Sequence, residues 1–586
     1  MKYSKYLVSL LVTGIIILSC SKSFLDVPVS GLGESQVANR SGVENLLIGA
    51  YAMLDGVTGT DQKWVKGGAI SNWVFGSICG SDAYKGSDAG DEGENITPLE
   101  TFMPAANNLY LSQKWNAVYT GVYRTNDVLR LSRMAKDISP AEENEIEAEA
   151  RFLRAFYHFE AKKMWNKVPF VDETVSFANN NYHLSNTRDI WPEIDNDLRF
   201  AIANLPATQQ QVGRASRYAA YALLAKSYMF QDSFYKAKKI LDTVIGSGNY
   251  KLNVNYTDNF NAAKDNSVES VFACQSSVND FASGMNGDYG DNLNNANYGS
   301  GEGCCGFFQP SQYLVNHFKT DAVTGLPDFT HFNDVPVKND DGIQSSDPFI
   351  PYGGTLDPRL DLTVGRRGIP FLDWGIHTGQ DWIKDQQYGG PYSPKKNAYY
   401  KSQEGILTEP AAWPVGIANN INLIRYSDVL LWAAEADIEL GNLDEAEFYV
   451  NMIRNRMADH HEAWVHKYLD DSDPQKGSYT DDAHLAANYY IKPYPEGDFT
   501  AHGQDYARKA VRYERTLELG MEGHRFFDLV RWGTASTEIN AYLQKERTLR
   551  YYLTGTEFIP NHNEYFPIPQ TEIDKSAGAM TQNPGY

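Results

Sequence analysis

Residues with catalytic or metal-binding potential are plentiful in this chain, but their spacings do not make a reaction centre. His460-His461-Glu462 is followed by His466, whereas a zinc peptidase needs His-Glu-x-x-His, which sets two imidazoles one helical turn apart on one metal. His461 and His466 are five residues apart, and a solvated histidine cluster is the simpler reading. Acidic side chains number 74, yet a glycosidase pair is defined by the separation of two carboxyls in space, which a sequence does not contain. Neither a Gly-x-Ser-x-Gly nucleophile elbow nor a phosphate-binding loop occurs. Asp471, Asp473, Gln475 and Gly477 miss the calcium-loop spacing because the glycine comes one place late. Structural calcium among the Asp- and Asn-rich loops stays open, with no ligands assigned, and no cofactor is expected.

Aromatics on loops are the other residues able to do chemistry, and a sugar platform is one kind of site they could form. Pyranose rings present flat C–H faces that lie on aromatic side chains, and their hydroxyls need polar partners that replace lost water bonds. Aromatics on polar loops suit this better than a stripe at helical spacing. Trp73, Asp82 and Tyr84 sit in a Gly- and Ser-rich stretch; Tyr289 and Tyr298 lie among Asn, Asp and Gly; Trp374, Trp382 and Trp413 occupy later loops. Each ring alone is as well explained by burial. As a set, the eight residues are the candidate glycan contacts.

Two blocks of helix must position these loops. Ser139-Pro140-Ala141-Glu142 reads as a capping box with proline at the first helical position. Ile146, Ala150, Leu153, Tyr157 and Ala161 then recur at three or four residues as an apolar stripe. Ala219, Ala222 and Ala225 allow close approach of two helices, with Leu224, Tyr228 and Ala237 filling the inner face. A second hairpin follows at 428–457, with Gly441 suited to a left-handed helix end. Both hairpins resemble tetratricopeptide units. The expected fold is mainly α, a tetratricopeptide-like helical repeat frame with a large, irregular, loop-rich ligand-facing region. Residues 39–250 form its N-terminal helical part and 251–420 the loop-rich region. Residues 421–586 form the C-terminal part, with a loop insertion at 464–503.

The N-terminus bounds the compartment. Lys2 and Lys5 precede an apolar run, Leu7 to Leu18, ending at Ser19-Cys20. The run is short for a membrane span and reads as a secretory signal over residues 1–19. Leu18-Ser19-Cys20 looks like a bacterial lipobox, making Cys20 the lipidated first residue and 20–38 a tether. Several acyl chains on one cysteine anchor a protein where a single chain binds reversibly. The whole chain has 52 basic and 74 acidic residues, net −22, and loss of Lys2 and Lys5 makes the mature balance −24. That charge argues against nucleic-acid binding, which needs many basic phosphate contacts. Of the cysteines after Cys20, Cys304-Cys305 reads either as a strained vicinal pair or, preferably, as two small buried hydrophobes.

Ordered motifs then identify a resemblance. Phe24-Leu25-Asp26-Val27-Pro28, Trp115 to Tyr123, Asn126-Asp127-Val128-Leu129 and the run from Glu149 to Tyr157 come first. Ile424 to Leu431, Glu514-Arg515, Glu518, Glu522 to Gly533, Phe566-Pro567-Ile568-Pro569 and Gln582 to Tyr586 follow. The chain resembles the RagB/SusD family of outer-membrane nutrient-binding lipoproteins of Bacteroidetes. The resemblance implies a non-catalytic protein, held by Cys20 to the outer membrane on the cell surface. It also implies a SusC-like TonB-dependent transporter barrel as partner and a captured glycan as cargo. A peptide-binding lid of the same transporter type, or a protein-interaction scaffold without a small ligand, are the alternatives. Glu514, Arg515, Glu518, Glu522, Arg525, Asp528 and Arg531 recur at helical spacings and are expected to be structural, with opposite charges supporting each other and holding segments together.

Overall fold

The computed structural model describes residues 34–57, 66–176, 179–294 and 305–586. Cys20, Tyr298 and Cys304 lie outside them. The frame is a succession of helices, each packed on the next: α1 Arg40–Ala52, α2 Leu109–Ser132, α3 Pro140–Trp165, α4 Trp191–Asn204, α5 Arg217–Met229, α6 Phe234–Gly246, α7 Tyr426–Leu440 and α8 Leu443–Ala458. The step from α6 to α7 is as close as the others, although 179 residues separate them in sequence. The two predicted hairpins are therefore spatial neighbours, and the loop-rich region is inserted into a continuous repeat frame. After it, α9 Gln504–Leu519 packs on α7 and α8, followed by α10 Arg525–Arg531, α11 Ala535–Glu546 and α12 Gln570–Lys575.

Local chemistry sets the helix ends. Ser139 Oγ accepts from Glu142 N at 3.4 Å while the Glu142 carboxylate accepts from Ser139 N at 3.1 Å, closing the capping box that starts α3. Gly441 ends α7 in the left-handed region, φ 84°, which costs glycine no side-chain clash. Ala219, Ala222, Ala225 and Ala237 are all fully buried, so α5 and α6 approach closely.

Strands are short and pair across long distances. β1 Ala83–Gly86 pairs antiparallel with β3 Phe307–Pro310, and β2 Ser270–Cys274 with the last strand, β10 Ile421–Arg425. Between them, β4 Val364–Gly365 pairs with β7 Ser393–Pro394, β5 Pro370–Phe371 with β6 Gly375–Ile376, and β8 Thr408–Glu409 with β9 Gly416–Ile417. The β2–β10 ladder closes the base of the inserted region. The β1–β3 ladder ties that region to the N-terminal half.

The charges of the C-terminal motifs are interior. Glu518 accepts from Arg425 at 2.6 Å, Arg456 at 2.5 Å and Arg359 at 3.0 Å. Glu514 receives Arg359 and Arg454 at 2.7 and 2.9 Å, Arg515 bridges Asp428 and Asp528, and Arg531 grips both oxygens of Glu435. Arg525 donates to Thr516 Oγ1 at 2.9 Å. Asp528–Arg531 is a pair at helical spacing, but most partners come from remote segments. The charges hold segments together through tertiary contacts more than through neighbours on one helix. A buried charge must be paired to be tolerated.

Two smaller expectations need correction. His466 is buried, its Nδ1 at 2.9 Å from the Trp464 carbonyl, whereas His460 and His461 turn to Glu462 and Asp482; only part of the cluster is solvated. Cys305 is half-buried and disulfide-bonded, not a small buried hydrophobe. Cys79 and Cys274 are free and buried.

Candidate ligand-binding surface

The seven described candidates separate by burial; Tyr298 lies outside the described residues. Trp73 is 1% exposed, wedged edge-on against Phe307 and Phe308. Asp82 is buried, accepts from Ser77 Oγ and Met521 N at 3.2 and 3.1 Å, and burial pushes its carboxyl up to about 6. The buried Tyr84 hydroxyl donates to Glu546 and accepts from Gln312 N. Rather than standing on an exposed polar loop, these three form interior wall. The cause is β3, a strand from more than two hundred residues away that covers β1 and the Trp73 segment. Tyr289 is also buried, with Lys66 Nζ 4.0 Å above its ring. Trp374 and Trp382 are half-buried, the first donating to the Tyr399 carbonyl at 2.8 Å, the second packed on Phe371 and His377. Trp413 alone among the seven described candidates is fully on the surface, at 59% exposure.

Trp413 belongs to a pair of loops that interlock. The β8–β9 hairpin carries it at its tip, and the neighbouring segment 275–287 runs against that hairpin. Asn279 Nδ2 donates to the carbonyls of Ile406 and Thr408, Asn279 N donates to Glu409 at 3.2 Å, and Ile417 N donates to the Gly287 carbonyl at 3.1 Å. Gly284 has φ +77°, and a Cβ there would sit 2.4 Å from Ala412 Cβ, so only glycine permits this approach. From beneath, Asn292 Nδ2 donates to the Pro414 carbonyl at 3.4 Å, and Lys66 Nζ bonds Asn292 and the Tyr289 carbonyl. Burial lowers Lys66 to about 8, against the pull of Asp288 and Asp291.

These two loops present apolar side chains to solvent. Phe281 is 103% exposed and Ile406 69%. Asp280 lies beside Phe281 and accepts from Ser277 Oγ and Asn286 Nδ2 at 2.5 and 2.7 Å. Phe281 and Ile406 are absent from the sequence candidates. Phe281 meets the same criterion, an aromatic within an Asn-, Asp- and Ser-rich run; a set restricted to Trp, Tyr and Asp does not reach it.

The same 275–287 segment walls a cleft of about 340 Å³ whose other side is α1 and the loop before α5. Ile48 and Val212 give it apolar rims, and Gln275, Ser277 and Asn286 give hydrogen-bonding groups. Asp55 lies at its side with one oxygen taking Val57 N at 2.7 Å. Burial raises its carboxyl to about 7, more than that bond and Arg124 counteract. Arg214 on the same wall is held by Glu44 and Glu149. The arrangement can pack ring faces and exchange hydrogen bonds with hydroxyls.

A helical repeat frame that carries an irregular loop surface, closed by two long-range ladders, is the class of protein defined here. Residues 268–586, more than half of the chain, match the SusD family model, and residues 80–229 match a model described as starch-binding associating with outer membrane. The chain belongs to the SusD family. It is 23% identical over 472 residues to SusD-like protein P25 of Formosa agariphila, covering 79% of this chain and 77% of that protein. Its fold is similar to that of a SusD superfamily protein from Bacteroides vulgatus, at TM-score 0.65 and 21% identity, covering 94% of this chain and 99% of the other. It is also similar to surface glycan-binding protein A from Bacteroides thetaiotaomicron in complex with laminarihexaose, at TM-score 0.64 and 20% identity, covering 93% and 99%.

Proposed function

We propose that this chain is a non-catalytic, glycan-binding lipoprotein of the outer membrane that captures oligosaccharide or polysaccharide and delivers it to a TonB-dependent transporter. One observation carries the binding part: Phe281, Ile406 and Trp413 stand exposed on two loops fixed to each other by hydrogen bonds and bordered by Asn, Asp and Glu side chains. Exposed rings on rigid loops stack on sugars with little ordering cost. Trp374 and Trp382, half-buried in the same inserted region, are secondary candidates. The similar fold of surface glycan-binding protein A, solved with laminarihexaose, supports a glycan ligand.

The non-catalytic reading draws on the fate of the acids. Glu100 and Glu546, both pushed up to about 7 by burial, are interior and bonded to the Tyr552 and Tyr84 hydroxyls. Both carboxyls are taken up by hydrogen bonds inside the fold.

Glycan-array screening followed by calorimetry tests the proposal. Oligosaccharide binding that weakens on Trp413→Ala and on Phe281→Ala supports it. Selective binding of a defined peptide, with no glycan bound across the array, replaces it with a peptide-binding lid.

A further inference from the structure

A second cleft, of about 480 Å³, lies on the helical frame and shares no lining residue with the cleft beside the loop surface. Its floor is an aromatic ladder on α2. Trp115, Tyr119 and Tyr123 are spaced four residues apart, one above the next on a single helix face. Trp115 stacks on Tyr119 with ring centroids 4.6 Å apart and an interplanar angle of 29°. The Tyr119 hydroxyl is tied to the Pro169 carbonyl at 2.9 Å. The lower rungs are thus fixed, while Tyr123 is 54% exposed and Tyr182, from the facing loop, 38%. Both present ring surface to the opening.

Polar groups border the rings. Asn116 and Thr120, one helical turn apart on α2, line the cleft, and their side chains make no hydrogen bond among the described residues. On the opposite wall, α12 supplies Glu572 and Lys575, paired at 2.7 Å. That pair balances its own charge, so the cleft selects for neither an anion nor a cation. Helices and a loop build the walls, and no strand edge among the lining residues offers a backbone ladder to an extended peptide. Rigid rings, unbonded amide and hydroxyl groups and a neutral balance match one ligand chemistry.

We infer that this α2–α12 cleft is a second binding site, for a neutral saccharide of one or two pyranose units within a longer chain. It is separate from the loop surface and does not depend on that surface binding sugar. A polymer engaged at both places is held by two weak contacts whose second is intramolecular, which raises overall retention without new chemistry at either site.

The test uses the full-length lipoprotein in detergent with laminarihexaose, maltohexaose, cellohexaose and mannohexaose as probes. Hydrogen–deuterium exchange is followed over 109–132, 570–580 and 276–287. At least one probe is expected to slow exchange in 109–132 and 570–580. Tyr123→Ala with Tyr182→Ala removes that protection and weakens the binding left in a Trp413→Ala background roughly tenfold. Tyr123→Phe retains most of it, because the ring is kept. Failure of the loop surface alone leaves 276–287 unprotected with 109–132 still protected. The inference is overturned if no probe protects 109–132 and 570–580 in the wild-type protein, or if protection survives the double substitution. It is also overturned if the double substitution spares all saccharide binding but releases a co-purifying barrel protein, which assigns the cleft to a protein partner.

Discussion

Arg425 holds Glu522 by both carboxylate oxygens, Nε at 2.8 Å and Nη2 at 2.9 Å. The two residues belong to the last strand and to the turn after α9, 97 positions apart. Burial works to raise the Glu522 carboxyl, and Arg425 followed by Lys396 outweighs it, leaving it below the ordinary range. Arg425 also serves Glu518 and Glu269, so one guanidinium joins the β2–β10 base of the inserted region to the frame.

Removing that guanidinium leaves three buried carboxylates short of a partner. Arg425→Met is expected to destabilise the protein by about 3–5 kcal/mol. Urea unfolding measures it; a change below about 1 kcal/mol would show that the remaining arginines carry the network.

Trp73 and Trp413 are predicted to respond oppositely. Trp73→Ala opens a cavity against Phe307 and Phe308 and costs about 3–5 kcal/mol. Trp413→Ala leaves the melting temperature nearly unchanged and weakens glycan binding. Equal loss of stability in both variants contradicts the assignment of Trp413 to the ligand surface.

Two carboxyls bend the stability profile in opposite directions. Asp55 rises from 3.8 to about 7 because of burial; its contribution is full below 3.8 and is lost as pH climbs through 7. Asp55→Asn, neutral at every pH, is therefore expected to match the wild type near pH 4 and to exceed it at about pH 8. Glu160 falls from 4.5 to about 2, since Lys163 and Lys114 outweigh its burial. Its contribution is present above 4.5 and fades as pH drops toward 2, by about 1.4 kcal/mol for each pH unit crossed. Denaturant titrations at fixed pH values read both slopes, and a Glu160→Gln profile as steep as the wild type between 4.5 and 2 contradicts the second.

Lipidation is tested by Cys20→Ala. The variant is expected in the soluble fraction with its folded core intact, and metabolic labelling with a radioactive fatty acid should be lost. Retention in the membrane with label still incorporated rules out Cys20 as the anchor.

Gentle detergent extraction followed by affinity capture of this protein should recover a TonB-dependent barrel with it. Recovery of the protein alone under several mild conditions argues against a stable lid.

The helical frame was legible because its signals are local. Ser139 to Glu142, the alanines of α5 and Gly441 each act within a few residues, and all three stand where the sequence places them. The order of motifs likewise leads to the SusD family. The ligand surface is harder to read because exposure is decided by partners far along the chain. Trp73 and Tyr84 occupy the polar, glycine-rich setting expected of a binding loop, and only the arrival of Phe307–Pro310 buries them. Trp413 sits in a less polar run, between Pro410-Ala411-Ala412 and Pro414-Val415, and stays outside because the neighbouring segment 275–287 packs on the hairpin flank. Local polarity points the wrong way for both tryptophans: the one in the polar run is buried and the one between prolines is exposed.

The segment after α12 closes on α3 rather than trailing away. Asn583 Nδ2 donates to the carbonyls of Trp165 and Phe566, at 2.9 and 2.8 Å, and Trp165 Nε1 donates to the Pro567 carbonyl at 3.1 Å. The first of these bonds spans 418 positions, so it cannot form until Asn583 has been made and delivered to the folding frame. Contacts of such separation form slowly. A chain that lacks the segment from Phe566 on keeps every helix of the repeat frame but leaves the Trp165 indole without its Pro567 acceptor and the Trp165 carbonyl with only the Lys167 N–H. Asn583 thus works as a latch, holding the segment after α12 against the end of α3.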